Sequence, residues 1–443
     1  MLRPGVSLAL SLLALAACKS SPTTTATTRD GRAAPDTVAI RRDVEHLASD
    51  ALEGRGTGTA GNDSAASYIA GRFESLRLVT LPNGCEGSNG ALQPRCERKY
   101  FQPFVARSAA AAHAGLPSEL PSQNVVALLR GSDPALADEY VVIGAHFDHL
   151  GRSGTSSLDP DSAEAIRNGA DDNASGTSAV MEMARLLARH APRRSVVFVT
   201  FSGEELGLLG SQWFVEHSPV PTDRVVAMLN FDMVGRLRNN RLIVYGVETA
   251  TEMRGIVDAA TAGTGLDVRA VGDGFGPSDH SSFYAKGIPV LHFFTDLHED
   301  YHRSTDDAHK VSAAGVARVA GLAERIVRTI ADRDARLTPV RVSRPAPVAT
   351  GRGGNVYLGS IPDMSAPDVP GVRLTGVRAD SPADKAGIKA GDIIVEFDGK
   401  PVKDLYQYTE AMQARQPGDT VKIVVLREGA RVELSATLGR RGA

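Results

Sequence analysis

At 443 residues the chain is too long for one ordinary hydrophobic core, so two or more domains are expected. Apolar residues at 42% and charged residues at 23% fit a soluble globular protein. A formal net charge of -3, with no long Lys/Arg run, excludes a general electrostatic attraction to nucleic acid.

In chain order, the first eighteen residues stand apart. Arg3 is the only charge ahead of an apolar run from Val6 to Ala17, too short to cross a bilayer as a helix and readable as a secretory segment. It ends Leu15-Ala16-Ala17-Cys18, which resembles a bacterial lipoprotein signal. That resemblance implies cleavage before Cys18, lipidation of its sulfur and an exported, membrane-anchored protein. With Lys19 after the cysteine, the outer membrane facing the periplasm is the expected address; a secreted or periplasmic protein is expected if Cys18 is not lipidated. Residues 19–35 are rich in Thr, Ser, Ala and Pro, as in a flexible tether. The two remaining cysteines, Cys85 and Cys96, lie in a Gly/Asn/Pro-rich stretch. An exported compartment permits a bridge between them, adding roughly 2–3 kcal/mol on a chain-entropy account.

From Asp36 to about Asp332 helical and strand patterns alternate. Val38–Leu52 and Ser64–Leu78 have helical apolar spacing, followed by short β-branched runs at Val125–Leu129 and Tyr140–Ala145. Thr177–His190 is predicted helical. Ser195–Phe201, almost wholly apolar, reads as a strand covered on both faces. Leu208–His217 and Met253–Ala262 are predicted helices, with strands at Val225–Phe231, Leu242–Tyr245 and Pro289–Phe294 and a final long helix at Ser312–Asp332. Such alternation predicts an α/β sandwich with a mostly parallel or mixed central sheet. A Pro/Arg/Gly-rich linker over 333–354 precedes a second unit of short strands and small helices over 355–440.

Metal-binding residue types collect at the predicted strand ends, where open α/β sheets place their ligand sites. His146 and Asp148 lie two apart, so on a strand they share a face; the first is a candidate ligand and the second a candidate orienting group. Gly169-Ala170-Asp171-Asp172-Asn173 sets two carboxylates side by side, which repel unless a cation or hydrogen bonds compensate; capping of the following helix is the alternative use of these residues. Glu204 and Glu205 follow a buried strand and can diverge, one to a cation and the other to the water to be activated, or simply start an acidic helix. Asp232 ends an otherwise apolar strand, where an unpartnered carboxylate is costly. His302 lies in the cluster His298-Glu299-Asp300-Tyr301-His302, whose spacing does not single out a ligand. His149 reads more readily as a loop histidine. The inventory suits zinc, which takes imidazole and carboxylate ligands.

The ordered set His146-x-Asp148, Ala170-Asp171-Asp172-Asn173-x-x-Gly176, Glu204-Glu205, Asn230-x-Asp232 and Tyr301-His302, with Ser278-Asp279-His280 and Gly287-Ile288-Pro289 between the last two, resembles the M28 zinc aminopeptidases over roughly Asp36 to Ala331. The resemblance implies a phosphorylase/hydrolase-like three-layer α/β sandwich and two zinc ions. It assigns Asp172 as the shared ligand, His146 and Asp232 to one ion, and Glu205 and His302 to the other. It makes Glu204 the general base on a bridging water and Asp148 the support of His146. It also implies a cis peptide at Asp172–Asn173, with Asp279 and His280 lining the site and Asp171 structural. The substrates would be peptides cleaved at their N-termini.

The last unit, with Asp380-Ser381-Pro382-Ala383, Ala386-Gly387-Ile388, Gly391-Asp392-Ile393-Ile394 and Asp398-Gly399-Lys400-Pro401-Val402, resembles a PDZ domain. That implies a groove for a peptide C-terminus behind Tyr357-Leu358-Gly359-Ser360, or a domain that only packs. Two other functions stay open: a related carboxypeptidase or glutaminyl cyclase, and a catalytically silent adaptor acting through the PDZ unit.

Overall fold

The computed structural model describes residues 1, 33–81, 100–107, 117–152, 157–159, 164–341, 356–362, 369–378, 380–403 and 405–440. Cys18, Cys85 and Cys96, and with them the expected lipid site and disulfide, lie outside the described residues.

Helices α1 (Thr37–Leu47) and α2 (Ala60–Ser75) lead into strands β1 (Phe101–Arg107), β2 (Glu119–Leu129) and β3 (Tyr140–His146). Then come α3 (Gly176–Arg189), β4 (Ser195–Phe201), α4 (Leu209–Glu216), β5 (Val225–Phe231), β6 (Arg241–Tyr245), α5 (Met253–Thr261), β7 (Asp267–Val271), α6 (His280–Ala285), β8 (Val290–Phe294) and α7 (Ala313–Asp332). The eight strands form one sheet in the order β1-β2-β4-β3-β5-β8-β6-β7. Its centre, β4-β3-β5-β8, is parallel, and β1, β2 and the β6–β7 pair are joined to it antiparallel. The sheet is therefore mixed, as its sequence pattern allows.

The parallel centre explains the unbroken apolar runs. Every residue of β3, β4 and β5 is buried. Side chains alternate between two cores. Val141, Ile143, Ala145, Val196 and Phe198 join the core under α1, α2, α3, α5 and α7. Val142, Val197, Val199 and Phe201 join the opposite core with Phe214 of α4 and Phe283 of α6. The result is three layers. Each fully buried Val or Phe in them contributes roughly 1.5–3 kcal/mol relative to exposure.

Two departures from the sequence pattern matter for the site. β2 begins at Glu119, not Val125, and carries polar residues into the interior. They are tolerated because each is paired: Ser122 Oγ donates to Ser202 Oγ at 2.8 Å, Gln123 Nε2 to Asp63 at 2.6 Å and Asn124 Nδ2 to Gln102 at 3.0 Å. The first helix stops at Leu47 instead of running to Leu52. The chain then makes a tight 3₁₀ segment, Asp50–Arg55, with Glu53, Gly54 and Arg55 all at positive φ. Strands β1 and β7 and helix α6 have no counterpart in the sequence pattern.

The C-terminal unit comprises β9 (Val356–Tyr357), β10 (Ser360–Pro362), β11 (Val372–Val377), α8 (Pro382–Lys385), β12 (Ile393–Phe397), β13 (Lys400–Pro401), α9 (Leu405–Gln413), β14 (Thr420–Arg427), β15 (Ala430–Thr437) and β16 (Gly439–Arg440). Its antiparallel sheet, β10-β11-β12-β14-β15, closes over a core containing Leu374, Ile394, Phe397, Ile423 and Val425. Asp392, almost wholly buried, is paired with Arg427 at 2.7 Å.

Candidate functional site

Three parallel strands end side by side and deliver the chemistry from their carboxyl ends. His146 closes β3, Glu204 and Glu205 lie just past β4, and Asp232 follows β5. A loop entering α3 brings Asp172, and the loop after β8 brings His302.

Asp172 occupies the centre. One of its oxygens is 3.3 Å from His146 Nε2 and the other is 3.3 Å from His302 Nε2. His146 Nε2 is also 3.5 Å from Asp232 Oδ1, and His302 Nε2 is 3.3 Å from Glu205 Oε2. These separations lie at the long end of the hydrogen-bond range. They match the spacing of atoms sharing one ion, since bonds of about 2.0–2.1 Å at tetrahedral angles put neighbouring donors about 3.3–3.4 Å apart. Asp232 Oδ1 and Glu205 Oε1 are buried with no hydrogen-bond partner among the described residues. Buried oxygens so exposed to desolvation cost are accounted for by a cation. The residues present therefore fit two metal ions, one at His146, Asp172 and Asp232, the other at Asp172, Glu205 and His302.

The electrostatics agree. Burial opposes charge on His146, yet the Glu204 and Asp232 carboxylates hold its pKa well above the ordinary imidazole value. His302, likewise buried, is raised to about 10 by Glu205 and Asp172. Asp172 is kept well below the usual carboxylate range, its burial outweighed by the facing imidazoles of His149, His146 and His302. Glu204 goes the other way. Burial raises it well above a normal glutamate, and the nearby Glu205, Asp279 and Asp232 charges reinforce that against the pull of His146.

Asp148 supports the site in a way its spacing did not suggest. The nearest acceptor for His146 Nδ1 is the backbone oxygen of Asp148 at 3.1 Å, while the nearer carboxylate oxygen is 3.7 Å away. That carboxylate accepts from Thr57 Oγ1 at 2.8 Å and from the backbone N–H of Glu204 at 3.2 Å. Asp148 thus ties the β3 end to the start of the Glu204 turn. Asp171 is locked by Gly235 N, Ser175 Oγ and His298 Nε2, consistent with a structural role. The backbone N–H groups of Asp171 and Asp172 both donate to Asp306 Oδ2, which Arg236 holds through the other oxygen. The Asp172–Asn173 peptide is cis. His280 is buried and stacked on His292 at 4.4 Å, with burial lowering it to about 3; Asp279, also buried, is raised to about 7.

Three contributors escape a reading by motif. Arg55 is fully buried and donates to the carbonyls of Leu47, Phe147, Asn168 and Gly169, so one guanidinium clamps both ligand-bearing loops to the first helix. Burial lowers it to about 10 against the attraction of Asp148, Asp172, Asp306 and Glu205. Thr57 fixes Asp148. His149, 2% exposed, sets Nδ1 2.7 Å from Glu205 Oε1. The only trace of the first two in the sequence is the glycine-dense run Gly54-Arg55-Gly56-Thr57-Gly58. Arg55→Met is expected to destabilise the metal-free chain by about 3–5 kcal/mol in urea unfolding, because the carbonyls of Leu47, Phe147 and Asn168 lose the guanidinium that holds them. Arg55→Lys should recover only part, since an ammonium cannot reproduce the planar fork. A change under about 1 kcal/mol for Arg55→Met would contradict the clamp.

A small apolar core cluster adjoins His302 through Tyr301. Met233, Ile243, Tyr245 and Phe294 cluster with Leu297 and Tyr301, and Tyr301 stacks on His302 at 3.9 Å.

Comparison with known proteins places this geometry. Residues 124–327 match the model of peptidase family M28 and residues 349–438 that of a PDZ domain. The chain is 32% identical over 259 residues to leupeptin-inactivating enzyme 1 of Streptomyces exfoliatus, covering 58% of this chain and 47% of that protein. It is 30% identical over 202 residues to aminopeptidase YwaD of Bacillus subtilis, covering 43% and 41%. The chain thus spans less than half the length of these curated relatives. A zinc-dependent exopeptidase from Parabacteroides distasonis has a similar fold, with TM-score 0.53 at 16% identity over 66% of this chain and 98% of that one.

Proposed function

We propose that the chain, whose residues 124–327 match the model of peptidase family M28 and residues 349–438 that of a PDZ domain, is an exported metallo-aminopeptidase that removes N-terminal residues from peptides with two zinc ions. The observation that carries the reading is the placement of Asp172, with one oxygen 3.3 Å from each of two imidazoles on separate segments. His146, Asp172 and Asp232 hold one ion, and Asp172, Glu205 and His302 the other. When bound, the ions polarise the scissile carbonyl and acidify the attacking water.

The chain's own residues do the rest. Glu204 is the general base: it takes the proton of the attacking water and passes it to the leaving amine. Its backbone is tied to Asp148, which keeps the carboxyl aimed at the cluster.

The export signal ending at Cys18 belongs to the same reading, with a lipid tether at the membrane and the PDZ unit available to peptide C-termini. One preparation tests the whole. Purified chain should contain two zinc ions and cleave aminoacyl-nitroanilides, with activity lost to chelator and restored by zinc. Carboxyl-terminal or N-terminal glutamine substrates turned over instead, or one zinc per chain, would favour the carboxypeptidase or cyclase alternatives. Zinc-free chain with no turnover would favour a silent adaptor. Full-length protein should fractionate with membranes, and Cys18→Ala should release it; an unchanged distribution would rule out the anchor.

A further inference from the structure

His149 lies in the interior beside Glu205 and has no use in the scheme above. Its ring packs so closely on Gly169 that a Cβ there would stand 2.4 Å from the imidazole, and Gly169 is at φ 55°. The backbone N–H of His149 donates to the Arg55 carbonyl at 3.4 Å, and Gly56 and His149 form an isolated β-bridge. The segment around Arg55 therefore sets this residue in place, and a glycine leaves it room.

Both ring nitrogens are buried without a hydrogen-bond partner among the described residues, and so is Glu205 Oε1. Nδ1 and that oxygen approach to 2.7 Å outside hydrogen-bond alignment, and Nδ1 is 3.8 Å from Asp172 Oδ2. One donor atom from each of His149, Asp172 and Glu205 lies within 4.8 Å of the other two, as for the group His146, Asp172 and Asp232. The His149 and His302 rings meet edge to face with centroids 5.8 Å apart. Lone pairs crowded together and out of line with one another are arranged for a shared cation.

We propose that His149 Nδ1 is a fourth protein donor to the ion held by Asp172, Glu205 and His302, so that the two metal positions are unequal. This rests on the two-zinc reading of the site. The position with four protein donors is filled in the manner of a structural zinc site, while the one at His146, Asp172 and Asp232 has three and keeps a place open, as catalytic zinc sites do. Loading is then sequential. The first zinc goes to the His149 position and resists chelators, and the second binds more weakly and controls activity.

The test is stepwise metal binding by the purified full chain, followed by zinc content after dialysis against graded chelators, with cobalt(II) absorption spectra at one and two equivalents. Wild type should show two dissociation constants at least about tenfold apart. His149→Ala should weaken the tighter one by more than about 100-fold, beyond the roughly 10–100-fold that loss of an outer hydrogen-bonding partner costs, and should change the one-equivalent cobalt spectrum. His149→Asn restores an N–H donor but only a poor ligand, and should behave like His149→Ala. His149→Cys supplies a ligand of another kind, and should bind the first zinc more tightly than either, with a thiolate-to-cobalt band in the near ultraviolet.

Two results overturn the proposal: His149→Ala with both constants within about threefold of wild type and an unchanged cobalt spectrum, or His149→Asn matching wild type while His149→Cys does not. A wild type that holds a single zinc, weakened to the same extent by His149→Ala, would support His149 as a ligand while ending the two-metal reading.

Discussion

Glu204→Gln is expected to lower kcat by about 10²–10⁴-fold, the usual contribution of a positioned general base, while leaving KM and zinc content unchanged. The reason is geometric. Glu204 Oε2 stands 4.0 Å from His146 Nε2, farther than the 3.3–3.5 Å that Asp172 and Asp232 keep from the same nitrogen. It borders the metal-binding cluster without belonging to either group of donors. Glutamine preserves the shape of the side chain and the tie from the Glu204 backbone to Asp148. What it removes is the ability to accept and return a proton. An equal loss in kcat and in kcat/KM is the pattern of an interaction made only in the transition state. The decisive measurement is the pair of kinetic constants alongside metal analysis. Undiminished kcat would exclude Glu204 as the base, and a loss of zinc that accounts for the lost activity would make it a ligand instead.

Asp172→Ala is expected to abolish activity by another route. Asp172 places one oxygen by His146 and the other by His302, the imidazoles of the two different metal positions, so its removal takes a donor from both at once. The variant should retain fewer than two zinc ions per chain after dialysis. A second readout follows from linkage. Zinc that binds only the folded state stabilises it by about 4 kcal/mol at a thousandfold excess over its dissociation constant. Wild type should therefore melt at higher temperature as zinc is added, and Asp172→Ala should show little or no rise. The fold itself should persist, because Asp306 accepts from the backbone N–H groups of residues 171 and 172 and Asn173 is separately tied to Phe231. Two ions per chain in Asp172→Ala, or an unchanged zinc-dependent rise in melting temperature, would remove Asp172 from its central place.

These two expectations differ in a way that a sequence alone cannot supply. Glu204 and Glu205 are neighbours of identical chemistry. From the residues themselves, either could be the ligand. The turn after β4 separates them: Glu205 reaches His302 at 3.3 Å, whereas Glu204 is tied by its backbone to Asp148. The same holds for the paired aspartates. Asp171 turns into a network with Gly235, Ser175 and His298, and Asp172 turns toward the imidazoles. Among the histidines after β8, His298 pairs with Asp171 and His302 faces the cluster. Adjacent identical residues acquire different roles because the backbone sends successive side chains in different directions.

What the amino-acid order determined by itself is the α/β alternation, the strands buried on both faces and the collection of metal-ligand residue types at strand ends. These are local properties, written in periods of two and 3.6 residues and in the cost of leaving a carboxylate bare after an apolar run. What only the tertiary structure decided is the second layer: Arg55 gripping loops 92 and 114 residues away, Thr57 reaching Asp148 across 91 positions, and His149 meeting Glu205. It also decided that polar β2 could extend into the interior, because its partners come from other segments. Contacts between residues so far apart along the chain leave no periodic trace. They exist only once the core has closed and the burial of each polar group demands a partner.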